Sequence, residues 1–256
     1  MSDYVRSASG LLVPAGIAGT GREQRPRALD LFAGCGGMSL GLIQAGYEVL
    51  AGVDNAPDAA HTYVLNLGAY PCRFVFVADE DRCALEQALS RAFRGKKDDL
   101  VTVRTAGSGW RSHHPEFPGV GTFFLGDVRK LKGSDILGVL GLEPGELDLI
   151  AGGPPCQRYS ISRNSLVFEF ARLVCEIRPK AMVMENVPGM LNMVTPDGVP
   201  VVDALARVLE DGGFGGYDAF RRSVQAQAGA VGLLRGPSRR PMGANSICLK
   251  IHERDS

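Results

Sequence analysis

The spacing of apolar residues changes period several times along the chain. "ALDLF" (Ala28 to Phe32) is short and almost wholly apolar, as expected of a strand buried on both faces. Next, "AGCGGMSLGLIQAGY" supplies a glycine turn and a helix with Met38, Leu42 and Ala45 on one face. "EVLAGVD" (Glu48 to Asp54) reads as a second strand ending in a carboxylate, and a helix is expected from Pro57 to Asn66 with proline in its first turn. "CRFVFVAD" predicts a third strand. From about Asp79 to Thr122 the pattern loosens. "EDRCALEQALSRAF" fits an amphipathic helix, whereas "GKKDD" and "TAGSGWRSHHPEFPGVG" are rich in turn residues, and the stretch is expected to be an insertion at the sheet edge.

Regular alternation resumes with the strands "GTFFLGDV" and "LDLIAGG", the helix "NSLVFEFARLVCEIR", the strand "AMVMENV" and the helix "VVDALARVLEDGGF", whose glycines mark its end. Strands alternating with helices predict an α/β fold with a doubly wound, mostly parallel sheet. One such domain is expected over residues 28–218, after a flexible leader (1–27) and before a basic tail (219–256).

Composition narrows the setting. A chain of 256 residues buries one sizeable core, and 45% hydrophobic with 22% charged residues is ordinary for a soluble globular protein. The formal net charge is zero, so overall charge does not select a polyanionic partner. Six cysteines are scattered without a C-x-x-C pair or a histidine cluster, which argues against a zinc site. With no signal-peptide pattern at the start and no run long enough to span a membrane, free thiols and a cytoplasmic location are expected.

Candidate chemistry gathers where strands end. Gly34, Gly36 and Gly37 let a backbone approach a ligand closely and expose helix N-terminal amides, although a tight turn alone explains them equally well. The pattern departs from the G-x-G-x-x-G dinucleotide fingerprint. Asp54, about 20 residues on, suits ribose hydroxyls, and Asp127 suits an adenine amine; either aspartate equally suits a helix cap. Pro154 and Pro155 stiffen the approach to a single thiol, Cys156, whose plainer reading is a small buried hydrophobe. Glu185 ends an apolar strand, placed to donate or share a proton or to serve a neighbouring amide.

In this order, "DLFAGCGG", "GPPCQ", "RNSLVFEFARLV" and "MENVPGML" resemble the cytosine-C5 DNA methyltransferase family over roughly Ala28 to Leu191. The resemblance implies a Rossmann-like methyltransferase fold with S-adenosylmethionine as cofactor. It would set Phe32, Gly34, Cys35, Gly36 and Gly37 against the methionine part and adenosine. Asp54 would take the ribose and Asp127 the adenine amine, with Asn55 and Val128 beside them. Pro155 and Leu166 would line the cofactor's other side. Cys156 would attack C6 of a cytosine flipped out of DNA, and Glu185 would grip its N3 and N4 edge.

The chain departs from the family in two places. "QRYSIS" leads almost directly into "RNSLVFEF", a shorter loop than the family's closing loop. The family's Gln-x-Arg-x-Arg motif, target-recognition domain and final helix have no counterpart in the basic tail. These departures admit a separate recognition subunit as partner. They also keep open a non-catalytic module that binds S-adenosylmethionine or a partner subunit, and, more distantly, a nicotinamide-dependent enzyme.

Overall fold

A computed structural model describes residues 4–16, 25–92, 106–155, 165–187, 189–190, 193–195 and 198–211. The chain divides into two compact units, Met1–Leu131 and Lys132–Ser256.

The first unit opens with an antiparallel hairpin of β1 (Tyr4–Arg6) and β2 (Leu12–Pro14). It continues with β3 (Arg27–Leu31), α1 (Gly37–Gln44), β4 (Glu48–Asp54), α2 (Pro57–Leu67), β5 (Gly68–Phe76), α3 (Asp79–Ala92), α4 (Trp110–His113) and β6 (Val120–Leu125). Four of these strands run parallel in the order β5-β6-β4-β3. Parallel neighbours need a crossover, and helices supply it. Tyr63 of α2 lies edge-on to Phe123 of β6, with ring centroids 4.9 Å apart, on one face of the sheet, and Phe124, Leu29 and Leu31 are fully buried on the other. Each such side chain contributes about 2 kcal/mol by leaving water.

The second unit contains α5 (Gly133–Leu140), β7 (Leu149–Gly152), α6 (Ser165–Ile177), β8 (Ala181–Met184) and α7 (Val201–Asp211). β7 and β8 are parallel, with Gly152 opposite Met184. Helix α6 packs against both α5 and α7, and α7 turns Val201, Val202, Leu205, Ala206 and Leu209 inward. Both units therefore have the α/β, Rossmann-like construction that the alternating pattern predicts.

Several expectations are corrected. Residues 4–14 of the expected flexible leader form the hairpin, anchored where Ser9 donates from its amide and hydroxyl to Glu116. The third strand begins at Gly68 rather than Cys72, because Gly68 already pairs with Val120. The expected helix at the start of the loosely patterned stretch forms as α3, packed on α2 and β5, but the stretch ends inside β6, which begins at Val120. The buried face of α1 is Ser39 and Ile43, not Met38, Leu42 and Ala45. A polar residue at the innermost position hid the helical stripe: Ser39 Oγ donates to Asp30 Oδ2 (2.6 Å) and lies 2.6 Å from the Tyr63 hydroxyl.

Candidate active site

The first unit presents its candidate residues just beyond the C-terminal ends of β3, β4 and β6. Leu31 is in register with Val53, and Asp54 with Leu125, so the three strand ends lie side by side. Phe32 holds a left-handed φ of 58°, uncommon for a bulky side chain, and Gly34 (52°) and Gly36 (96°) continue the turn. The two glycines answer different needs. A Cβ on Gly36 would lie 2.7 Å from Leu67 Cδ1 and 2.9 Å from Tyr63 Cδ2, so this glycine lets α2 pack against the loop. Among the described residues, no atom lies within 4 Å of a Cβ placed on Gly34 or Gly37.

Asp54 ties the turn down. Its Oδ2 accepts from the Gly34 amide (2.8 Å) and its Oδ1 from the Ala56 amide (2.9 Å). Each carboxylate oxygen has a second lone pair, so hydroxyls can still be accepted. Asp54 therefore caps no helix, since Ala56 is the N-cap of α2 and carries no side-chain cap bond; it ties two loop amides and keeps lone pairs for hydroxyls. Asn55 and Cys35 are exposed, and Val128 is buried. Asp127 caps a short 3-10 turn through the Arg129 amide (3.0 Å) and is gripped by the Arg129 guanidinium at 2.6 to 2.9 Å. The hydrogen bonds from Arg129 hold its carboxyl below the usual range, against a smaller opposing effect of burial. Asp127 is therefore an ionised acceptor.

Beneath this loop lies a feature the sequence reading missed. Asp30 is fully buried, and its Oδ1 has no hydrogen-bond partner among the described residues. Burial pushes its carboxyl up to about 7; bonds from Ser39 oppose the rise and nearby Asp54 adds to it. The signal was present as an aspartate inside the apolar run "ALDLF".

The second unit presents Gly153, Pro154 and Pro155 after β7, and Glu185 after β8. The Glu185 amide donates to the Gly152 carbonyl (2.9 Å), which sets the two loops side by side. A Cβ on Gly153 would come within 3.0 Å of Glu185 Oε2, so this glycine makes room for the carboxylate. Asn186, buried, donates from Nδ2 to the Pro154 carbonyl (3.0 Å) and accepts from the Val187 amide at Oδ1 (2.8 Å). Sequence reasoning gave Asn186 no role, although it stands in "MENVPGM". Pro155 is exposed and Leu166, on α6, is half-buried. Cys156 lies outside the described residues, as does the tail 219–256. Phe32 to Gly37, Asp54, Asn55, Asp127 and Val128 thus belong to the first unit, and Pro155, Leu166 and Glu185 to the second.

Two α/β units thus present glycine turns and carboxylates just beyond the ends of parallel strands. A family model of C-5 cytosine-specific DNA methylases matches residues 27–80 and 116–221, and the chain belongs to that family. The part this match passes over, 81–115, falls within the loosely patterned stretch. Similar relatives include the type II methyltransferase M.HgiDI of Herpetosiphon aurantiacus, 31% identical over 169 residues, covering 63% of this chain and 37% of that protein. M.HgiGI, from the same organism, is 30% identical over 169 residues, covering 63% of this chain and 90% of that protein. The DNA (cytosine-5-)-methyltransferase M.ApeKI of Aeropyrum pernix is 29% identical over 182 residues, covering 66% and 30%. The match to M.HgiDI thus spans little more than a third of that relative's length. Membership of a methylase family implies a methyl donor. Among the described residues no helix is long and apolar enough to cross a membrane.

Proposed function

We propose that the chain transfers a methyl group from S-adenosylmethionine to C5 of cytosine in DNA. The observation that carries this reading is the paired strand ends of the second unit. There Glu185 lies against Gly153, and Asn186 holds the carbonyl of Pro154 two residues before Cys156.

The first unit fits the cofactor. Gly34 and Gly37 border space free of the described residues, and Gly36 caps α1 without a side chain, leaving helix amides for a carboxylate. Asp54 retains lone pairs for ribose hydroxyls, and Asp127 is an ionised acceptor for an adenine amine. Phe32, Asn55, Val128, Pro155 and Leu166 complete the proposed contacts. When bound, S-adenosylmethionine supplies an electrophilic methyl group.

The remaining work falls to the chain's own residues. The Cys156 thiolate bonds to C6 of a cytosine turned out of the helix, and the C5=C6 electrons become available at C5. Glu185 holds the N3 and N4 edge and stabilises the charge that develops there. Once C5 is substituted, its proton is lost, the C6–S bond breaks, and the ring regains its double bond with the thiolate expelled. Two restrained prolines and the Asn186 bond limit the backbone freedom of the segment leading to the thiol.

The test is transfer of labelled methyl to DNA, together with trapping on duplexes containing 5-fluorocytosine. Fluorine at C5 cannot leave as a proton does, so a covalent protein–DNA adduct is expected with the wild-type chain and none with Cys156→Ser. An adduct that persists in Cys156→Ser would assign the nucleophile elsewhere.

A further inference from the structure

The first unit contains a cavity of about 390 Å³, bordered by Arg25, Tyr70, Arg111, Glu116, Phe117 and Gly119. It lies at the opposite end of the strands from the glycine turn. Arg25 precedes β3, Tyr70 stands early in β5, and Gly119 immediately precedes β6. Six residues of β6 separate Gly119 from the strand end used by Asp127, about 20 Å of extended chain.

One nitrogen on each of two guanidiniums here is left over. Arg25 Nη1 and Arg111 Nε are both buried, and neither has a hydrogen-bond partner among the described residues. Orphaned guanidinium nitrogens are costly, so they call for an acceptor that the described residues do not provide. Gly119 accommodates one of them, since a Cβ there would stand 2.5 Å from Arg111 Nε. Glu116 does not pair with these arginines in the structure. Its Oε1 accepts from the Ser9 amide (3.2 Å) and hydroxyl. Burial alone would raise the Glu116 carboxyl, but hydrogen bonds from Ser9 and Ser7 bring it below its ordinary value. Burial likewise pushes the Arg25 guanidinium down, partly offset by Glu48. The other wall is aromatic: Phe117 is buried, and Tyr70 is 63% exposed.

We propose that this cavity binds a small phosphomonoester, its phosphate between Arg25 and Arg111 and its organic part along Tyr70 and Phe117. A dianionic phosphate matches two guanidiniums in charge and offers the several oxygens that planar forks engage. The volume lies within the range of small-ligand sites, with space beyond the phosphate for a sugar or ring. The site uses none of the residues assigned to methyl transfer, so it stands whether or not that reading does.

The experiment is calorimetric titration of the full chain, at matched ionic strength, with uridine monophosphate, inorganic phosphate and uridine. Binding of the monophosphate, weaker competing binding of phosphate and none of uridine are expected. Arg25→Met and Arg111→Met each retain an aliphatic stem and should weaken the monophosphate at least about tenfold. The double variant should abolish binding while melting within a few degrees of wild type. Arg111→Lys keeps the charge but loses the fork, and should fall between wild type and Arg111→Met. Tyr70→Ala, at an exposed position, should weaken the monophosphate but leave phosphate unchanged, a readout that survives if the arginine variants unfold. Absence of monophosphate binding up to about 10 mM, an affinity unchanged in the double variant, or equal binding of uridine would overturn the proposal.

Discussion

Two loops leave strands in this protein, and they are held by opposite hydrogen-bond logic. After β3 the chain turns on glycines and retains its amides. The neighbouring strand end supplies an acceptor, Asp54, which takes the Gly34 N–H. After β7 the chain turns on prolines, which have no N–H, so a carbonyl is the available handle. The neighbouring strand end accordingly supplies a donor, Asn186, which bonds to the Pro154 carbonyl. The residue types in a turn therefore fix the kind of side chain that can secure it. The loops also differ underneath. The glycine turn lies above the buried Asp30, Ser39 and Tyr63 cluster, whereas all four residues of β7 are buried and apolar.

The largest expected effect separates the two regions by pH. Asp30 has its folded-state carboxyl raised from 3.8 to about 7, so its contribution to stability is complete below about pH 4 and is lost as pH rises through 7. A displacement of roughly three units sets an upper bound on the order of 4 kcal/mol. Asp30→Asn should flatten the decline between pH 4 and 7 in denaturation curves. A variant with the wild-type slope would remove the buried acid from the comparison.

Next comes the donor of the second loop. Asn186→Asp keeps the shape but replaces the amide donor with an acceptor facing the Pro154 carbonyl. Methyl transfer should fall on the order of a hundredfold, about 3 kcal/mol, with binding of S-adenosylhomocysteine retained. Equal loss of both would show that Asn186 supports the whole fold rather than this one loop.

Gly36→Ala should follow closely. Its methyl would meet Leu67 and Tyr63 from a backbone at φ 96°, for a loss of about 2–3 kcal/mol in chemical denaturation. Gly37→Ala provides the contrast. Open space and an ordinary φ keep its stability within about 1 kcal/mol of wild type, while cofactor affinity falls because the methyl occupies the approach. The smallest change is expected for Asp54→Asn, in which one of two accepted amide bonds is lost. The cost should be about 1 kcal/mol, accompanied by weaker cofactor binding in calorimetry.

By itself the sequence determined the alternation of elements, because burial on a parallel sheet demands apolar runs and crossover helices demand a longer period. It also located the strand-end residues, since glycine, proline and isolated carboxylates interrupt those runs at Gly34, Asp54, Pro154 and Glu185. Periodicity misled where a polar residue was buried: Ser39 faces inward because Asp30 and Tyr63 satisfy it, and no linear pattern carries that pairing. The hairpin of residues 4–14 escaped notice for a related reason, since its anchor, Glu116, is about a hundred positions away. Only tertiary structure decided which glycine packs against α2 and which borders open space, which backbone group Asn186 holds, and that Arg25 and Arg111 share a cavity with buried nitrogens unpaired. Local propensity acts over a few residues, whereas hydrogen-bond satisfaction and packing are settled among neighbours that the folded chain brings together.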